Sequence, residues 1–94
     1  MRRIRLKSIF HNNPVKKIKI KYQHQSDTQK FINSYFEKRR IKADCVDSEF
    51  NRGKNQRVYS KTFMVKVPQS MSCAQIIEEI SLYRNIIEIR RIKK

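Results

Sequence analysis

From Val15 to Gln23 the chain reads VKKIKIKYQ, apolar and basic residues in near-strict alternation. A period of two belongs to a β-strand, because successive side chains leave a pleated backbone on opposite faces. Ile18, Ile20 and Tyr22 point one way, and Lys17, Lys19 and Lys21 point the other. Such a strand requires a sheet with one packed face and one open face. On the open face it sets a comb of ammonium groups.

The remaining segments supply what covers the packed face. SDTQKFINSYFEKRR has Phe31, Ile32, Tyr35 and Phe36 at helical intervals. Ser26, three residues before Gln29, has capping-box spacing and predicts the helix start. Lys38, Arg39 and Arg40 end the helix, where the negative pole of its dipole favours cations. A second strand is predicted over Ile41 to Phe50 and a third over Arg57 to Val67. NRGKN, with the only glycine, Gly53, turns the hairpin between them. Pro68 cannot donate to a ladder and closes the third strand. SCAQIIEEISLYR repeats the capping spacing at Ser72 and Gln75, turns Ile76, Ile77, Ile80 and Tyr83 or Leu82 inward, and predicts a left-handed stop at Asn85. IIEIRRIKK reads as a last strand.

The order strand, helix, strand, strand, helix, strand predicts an α+β sandwich of ferredoxin-like βαββαβ topology. Its four-stranded antiparallel sheet carries two helices on one face, with the first and third strands central. Phe31, Ile32, Tyr35, Phe36, Ile76, Ile77 and Ile80 are expected to pack against Ile18, Ile20, Phe63, Val65, Ile87 and Ile89. At 94 residues the chain has the length of one small domain. Residues 1–13 read as a basic segment ahead of the folded unit at 14–94.

Twenty-three Lys and Arg against eight Asp and Glu give a formal net charge of +15. Solubility of a small domain asks for only about 2–8. From Met1 to Gln23 there are eight basic residues and no carboxylate. A polyanionic neighbour is the default inference; a complex that balances the charge is the plainer one. Two cysteines, Cys45 and Cys73, without C-x-x-C spacing, do not form a secreted disulfide framework. No apolar run reaches the length of a bilayer span, and no signal-peptide apolar core follows Met1.

Nothing in the chain pairs a nucleophile with a base, and no enzyme and no cofactor is read. His11 and His24 have no ligand-type partner at useful spacing. Asp44, Asp47 and Glu49 form the one acidic cluster, but strict alternation would turn Asp44 away from the other two, and ion pairing with nearby lysines is the expectation. Cys73, in the first turn of the second helix, sits where a dipole lowers a thiol pKa, yet without a neighbouring base it reads as structural. A basic ferredoxin-like domain also invites comparison with RNA-recognition modules, which stack bases on aromatics of the open central strands. In RVYSKTFMVKV the open side would show Ser60, Thr62, Met64 and Lys66, while Tyr59 and Phe63 share the core parity of Val65 and Val67. The stacking platform is missing, so RNA remains the rival partner through phosphates alone.

YSKTFMVKVPQSMSCAQIIEEISLYRNIIEIRRI resembles the closing strand-helix-strand of an ACT-like domain, with a helix ending near Leu82 followed by Asn85-Ile86-Ile87 and Ile89. Over residues 14–93 the chain is similar to the soluble C-terminal domain of the MgtC/SapB family of bacterial membrane proteins. The resemblance implies a non-enzymatic regulatory or interaction domain on the cytoplasmic side of the cell membrane, in a family linked to magnesium limitation and virulence. ACT domains that sense amino acids use a glycine-containing turn after the first strand; here it is Gln23-His24-Gln25-Ser26-Asp27, and no such site residue carries over. The resemblance also implies that the natural chain continues upstream of Met1 into a membrane domain. Arg2, Arg3, Arg5 and Lys7 are then expected to contact anionic headgroups, with Lys17, Lys19 and Lys21 as a second layer. A homodimer is expected to use strand two or the open face, because Arg90, Arg91, Lys93 and Lys94 guard the other edge.

Overall fold

A computed structural model describes residues 14–52 and 57–93. The elements are β1 (Val15–Tyr22), α1 (Gln25–Lys38), β2 (Lys42–Arg52), β3 (Arg57–Lys66), α2 (Cys73–Ser81) and β4 (Ile86–Ile92). They form one antiparallel sheet in the order β2-β3-β1-β4, the ferredoxin-like arrangement, with β1 and β3 central. The expected core forms between the helices and one sheet face. Ile18, Ile20, Tyr22, Ile32, Val65, Ile76 and Ile80 are essentially inaccessible, with Tyr35, Phe36, Ile41, Phe63 and Val67 completing the cluster.

Phe31 and Ile77 lie half-buried at the rim, Phe31 stacked on Tyr83 with ring centroids 4.1 Å apart. Ile87 departs from expectation and is 48% exposed. Lys21 pairs with Glu88 but Tyr22 with Ile86, so Ile87 is the extra residue of a β-bulge. Ile86 and Ile89 take the inward places instead.

The helix ends are also differently built. Ser26 lies inside α1 and does not cap it. His24 stands at the cap with φ 55°, and its side chain makes no capping hydrogen bond. The turn is tied by the Thr28 hydroxyl, which donates to the Gln23 carbonyl at 2.5 Å, and by the Thr28 N–H to the His24 carbonyl at 3.0 Å. Asn85 is not left-handed; that conformation falls to Arg40, φ 58°. The Arg40 N–H donates to the Glu37 carbonyl at 3.1 Å and the Ile41 N–H to the Phe36 carbonyl at 2.8 Å, a Schellman closure of α1 with Ile41 and Phe36 both in the core. At α2 the sequence reading holds: Ser72 Oγ accepts from the Gln75 N–H at 3.1 Å.

A polar clamp joins the helices. The Tyr35 hydroxyl donates to Glu79 Oε1 at 2.6 Å, Arg39 Nη2 lies 3.1 Å from the same oxygen, and Gln75 Nε2 donates to Glu79 Oε2 at 3.2 Å. Burial, then the bond to Glu79, pushes the Tyr35 phenol well above its usual range. The Tyr35 hydroxyl, followed by the Gln75 amide, holds the Glu79 carboxyl below the usual carboxylate range.

Candidate functional site

Both helices lie on one side of the sheet, so residues of the opposite parity form an open face, on which the central Ser60 and Thr62 are themselves buried. Cross-strand pairing orders that open face into rows, since directly opposed residues share a face. Asp44, Met64, Lys17 and Ile92 make one row, and Asp47, Thr62, Lys19 and Arg90 the next. The third holds Glu49, Ser60, Lys21 and Glu88. Lys17, Lys19 and Lys21 therefore form the expected comb, each partly exposed. Arg2, Arg3, Arg5 and Lys7 lie outside the described residues.

The acidic cluster is placed differently from its sequence reading. Cys45 pairs with Phe63 and Asp47 with Thr62, which leaves Val46 as an extra residue in β2. That bulge shifts the alternation by one, and Asp44, Asp47 and Glu49 stand together on the open face. The expected ion pairs with nearby lysines are not formed: among the described residues, none of these three carboxylates lies within 4 Å of a cation. Two strand spacings, about 10 Å, separate the acidic column on β2 from the lysines on β1. Lys21 instead approaches Glu88 at 3.6 Å, with Arg90 3.8 Å from the same carboxylate, both pairs well exposed.

At the end of the sheet where β1 begins, the comb opens into a groove of about 660 Å³. Val15, Met64 and Ile92 line it together with Lys16, Lys17, Arg91 and Lys93, four cations and no carboxylate. The Val67 N–H donates to the Pro14 carbonyl at 2.9 Å and fixes the start of β1 at this end. Sequence reasoning found Lys17 but missed Lys16, Arg91 and Lys93 as its companions. Only the β1–β4 pairing, with Lys17 opposite Ile92, brings them together.

Two other features have a structural explanation. A groove of about 440 Å³ between Phe31, Ser34, Tyr35, Lys38 and Arg39 lies beside the helix clamp, and Arg39 is already engaged by Glu79 and by the Tyr35 ring 5.5 Å away. Cys73 opens α2 and packs against the core, and Cys45 is exposed; both are free thiols. Among the described residues no group of His, Cys, Asp and Glu has the geometry to hold a metal ion, and no helix is long and apolar enough to cross a membrane. No family model matches the sequence, and no curated protein matches it.

Proposed function

We propose that this chain is a non-catalytic interaction or regulatory domain that docks on an anionic membrane surface through the basic groove at the start of β1. The groove carries the reading: four cations, Lys16, Lys17, Arg91 and Lys93, line it together with Val15, Met64 and Ile92. A phosphate-bearing headgroup with the root of its acyl chain suits that combination, whereas a bare phosphate uses only the cations. Each Lys or Arg near an acidic leaflet contributes about 1 kcal/mol. With the resemblance to MgtC/SapB proteins, this is a soluble domain held at the cytoplasmic leaflet, below membrane spans encoded upstream, in the setting of magnesium limitation which that family implies. The open central strands, with Ser60, Thr62 and Met64 beside lysines, favour this reading over RNA, whose bases need aromatic surfaces there.

Co-sedimentation with vesicles, phosphatidylcholine alone against phosphatidylcholine with an acidic phospholipid, tests the docking. Binding is expected only to the acidic vesicles and should fall steeply between low and physiological salt, where the screening length is about 8 Å. Combined Lys16→Glu, Lys17→Glu and Arg91→Glu should abolish it. Lys30→Glu, on the exposed side of α1, should weaken it little. All of these variants should keep the fold, whereas Ile18→Glu buries an unpaired charge and should not. Equal binding to neutral vesicles, or binding only to RNA, overturns the assignment. The membrane attachment has its own test in the gene: a ribosome-binding site directly ahead of Met1 with no apolar spans upstream would exclude it.

A further inference from the structure

We propose that the open face of the sheet is self-complementary and pairs face to face with a second copy of this chain, the acidic column of each copy lying on the lysine comb of the other. The rows make this possible. Asp44 and Lys17, Asp47 and Lys19, and Glu49 and Lys21 stand at equal heights on β2 and β1, with a neutral β3 residue between each pair. A half-turn about an axis running along β3, midway between two facing sheets, exchanges the β1 and β2 columns and leaves height along the strands unchanged. Lys17 of one copy then meets Asp44 of the other, Lys19 meets Asp47, and Lys21 meets Glu49. Sheets pack about 10 Å apart, a distance that lysine and carboxylate side chains together bridge. A twofold contact of this kind repeats each pairing, six in all.

Within one chain the two columns project in parallel from the same face, about 10 Å apart, and do not point at one another; no ion pair among the described residues involves Lys17, Lys19 or the three carboxylates, while Lys21 lies 3.6 Å from Glu88. The alternative pairing, β2 edge against β2 edge, brings two acidic columns into one continuous face, where like charges oppose it. The Val46 bulge also interrupts that edge. Net charge and the scarcity of apolar groups on the face, Met64 chief among them, make the dimer weak and salt-sensitive. The axis runs along the strands, so both copies present the start of β1 at the same end; Lys17 and Met64 then belong to the contact between copies, which leaves Lys16, Arg91 and Lys93 of each groove to meet a surface at that end. Only that last consequence rests on the membrane reading.

Sedimentation velocity in vesicle-free buffer tests the pairing, with two variants, Lys17→Glu/Lys19→Glu/Lys21→Glu and Asp44→Lys/Asp47→Lys/Glu49→Lys. The parent should associate reversibly at low salt and dissociate as salt is raised. Each variant alone should be monomeric, with a parent-like far-ultraviolet spectrum. Mixed in equal amounts, the two should form a heterodimer at least about tenfold tighter than the parent dimer, because diagonal neighbours across the contact, which are like-charged in the parent, are then unlike as well. Both remain strongly cationic, since three reversals shift a net charge of +15 by only six, so bulk attraction does not explain a complex. The single changes Lys19→Glu and Asp47→Lys, tested the same way, serve if a triple variant does not fold. A parent that stays monomeric, a dimer that survives in either variant alone, or a mixture no more associated than its parts overturns the proposal. Vesicle binding can fail without touching this result, and the reverse is equally true.

Discussion

Two buried tyrosines are expected to respond to the same substitution with opposite signs. Tyr22 is fully inaccessible on β1, stacked on Tyr59 with centroids 5.7 Å apart, and its hydroxyl has no hydrogen-bond partner. The Gln29 side chain approaches this hydroxyl without completing a bond, and burial raises the phenol's pKa. Leaving a buried hydroxyl unsatisfied costs about 1–3 kcal/mol, which Tyr22→Phe removes while keeping the ring and its stack. The oxygen's lost dispersion contacts, about 0.1–0.2 kcal/mol each, return part of that. A net gain on the order of 1 kcal/mol is expected, which raises Tm by roughly 4–8 °C in a domain of this size. Tyr35→Phe deletes a donor engaged at 2.6 Å by Glu79 and should lower Tm. Thermal and urea unfolding followed by circular dichroism read both variants against the parent. A Tyr22→Phe variant destabilised like Tyr35→Phe would mean that the Tyr22 hydroxyl is satisfied, and Gln29→Ala would then show whether Gln29 is the partner.

Ser72→Ala removes an observed cap and should cost about 0.5–2 kcal/mol by urea unfolding, whereas Ser26→Ala, at an exposed position inside α1, should change stability by less than about 0.5 kcal/mol. The pH dependence follows from the helix clamp. The folded-state pKa of Glu79 is depressed, so its contribution is complete above the ordinary carboxylate pKa and is lost as pH falls through the folded value. Glu79→Gln should flatten that acid limb, and an unchanged limb in the variant would remove Glu79 from the account. Tyr35, raised in the folded state, adds the opposite limb: stability declines as pH climbs beyond the ordinary phenol range.

The fold was legible where its causes are local. Alternation in β1, helical spacing in α1 and α2, the proline after β3 and the Ser72 cap each act over a few residues, and together they lead to the observed strand order. What escaped depends on contacts between distant segments. Ser26 and Ser72 have the same spacing to a glutamine, but the α1 turn is closed by the Thr28 hydroxyl on Gln23, and α1 therefore starts before Ser26. Arg40 takes a left-handed conformation that its residue type does not announce, because Ile41 must reach the core immediately after the helix. Neither bulge carries a glycine, and the extra residues, Val46 and Ile87, look like ordinary strand residues. The basic groove has no local signature either, since Lys16 and Arg91 stand at opposite ends of the sequence.

The Val46 bulge links the core to the charged face. Without it, strict alternation from Ala43 would put Phe50 on the open side and turn Asp47 and Glu49 toward the helices. With it, Phe50 pairs with Tyr59 on the helix side, ring centroids 4.9 Å apart, and extends a row of rings through Tyr59 to Tyr22. Aromatic pairs of this kind contribute about 0.5–1.5 kcal/mol beyond their buried area, comparable to the net contribution of about 0.5–1.5 kcal/mol from one ladder hydrogen bond. Packing alone therefore accounts for the bulge and for the side on which residues 47 and 49 emerge. It does not account for their chemistry, because any polar residue would serve at an exposed edge. Three carboxylates in a chain with only eight, each level with a lysine two strands away, are the columns that the proposed pairing of two copies would bring together.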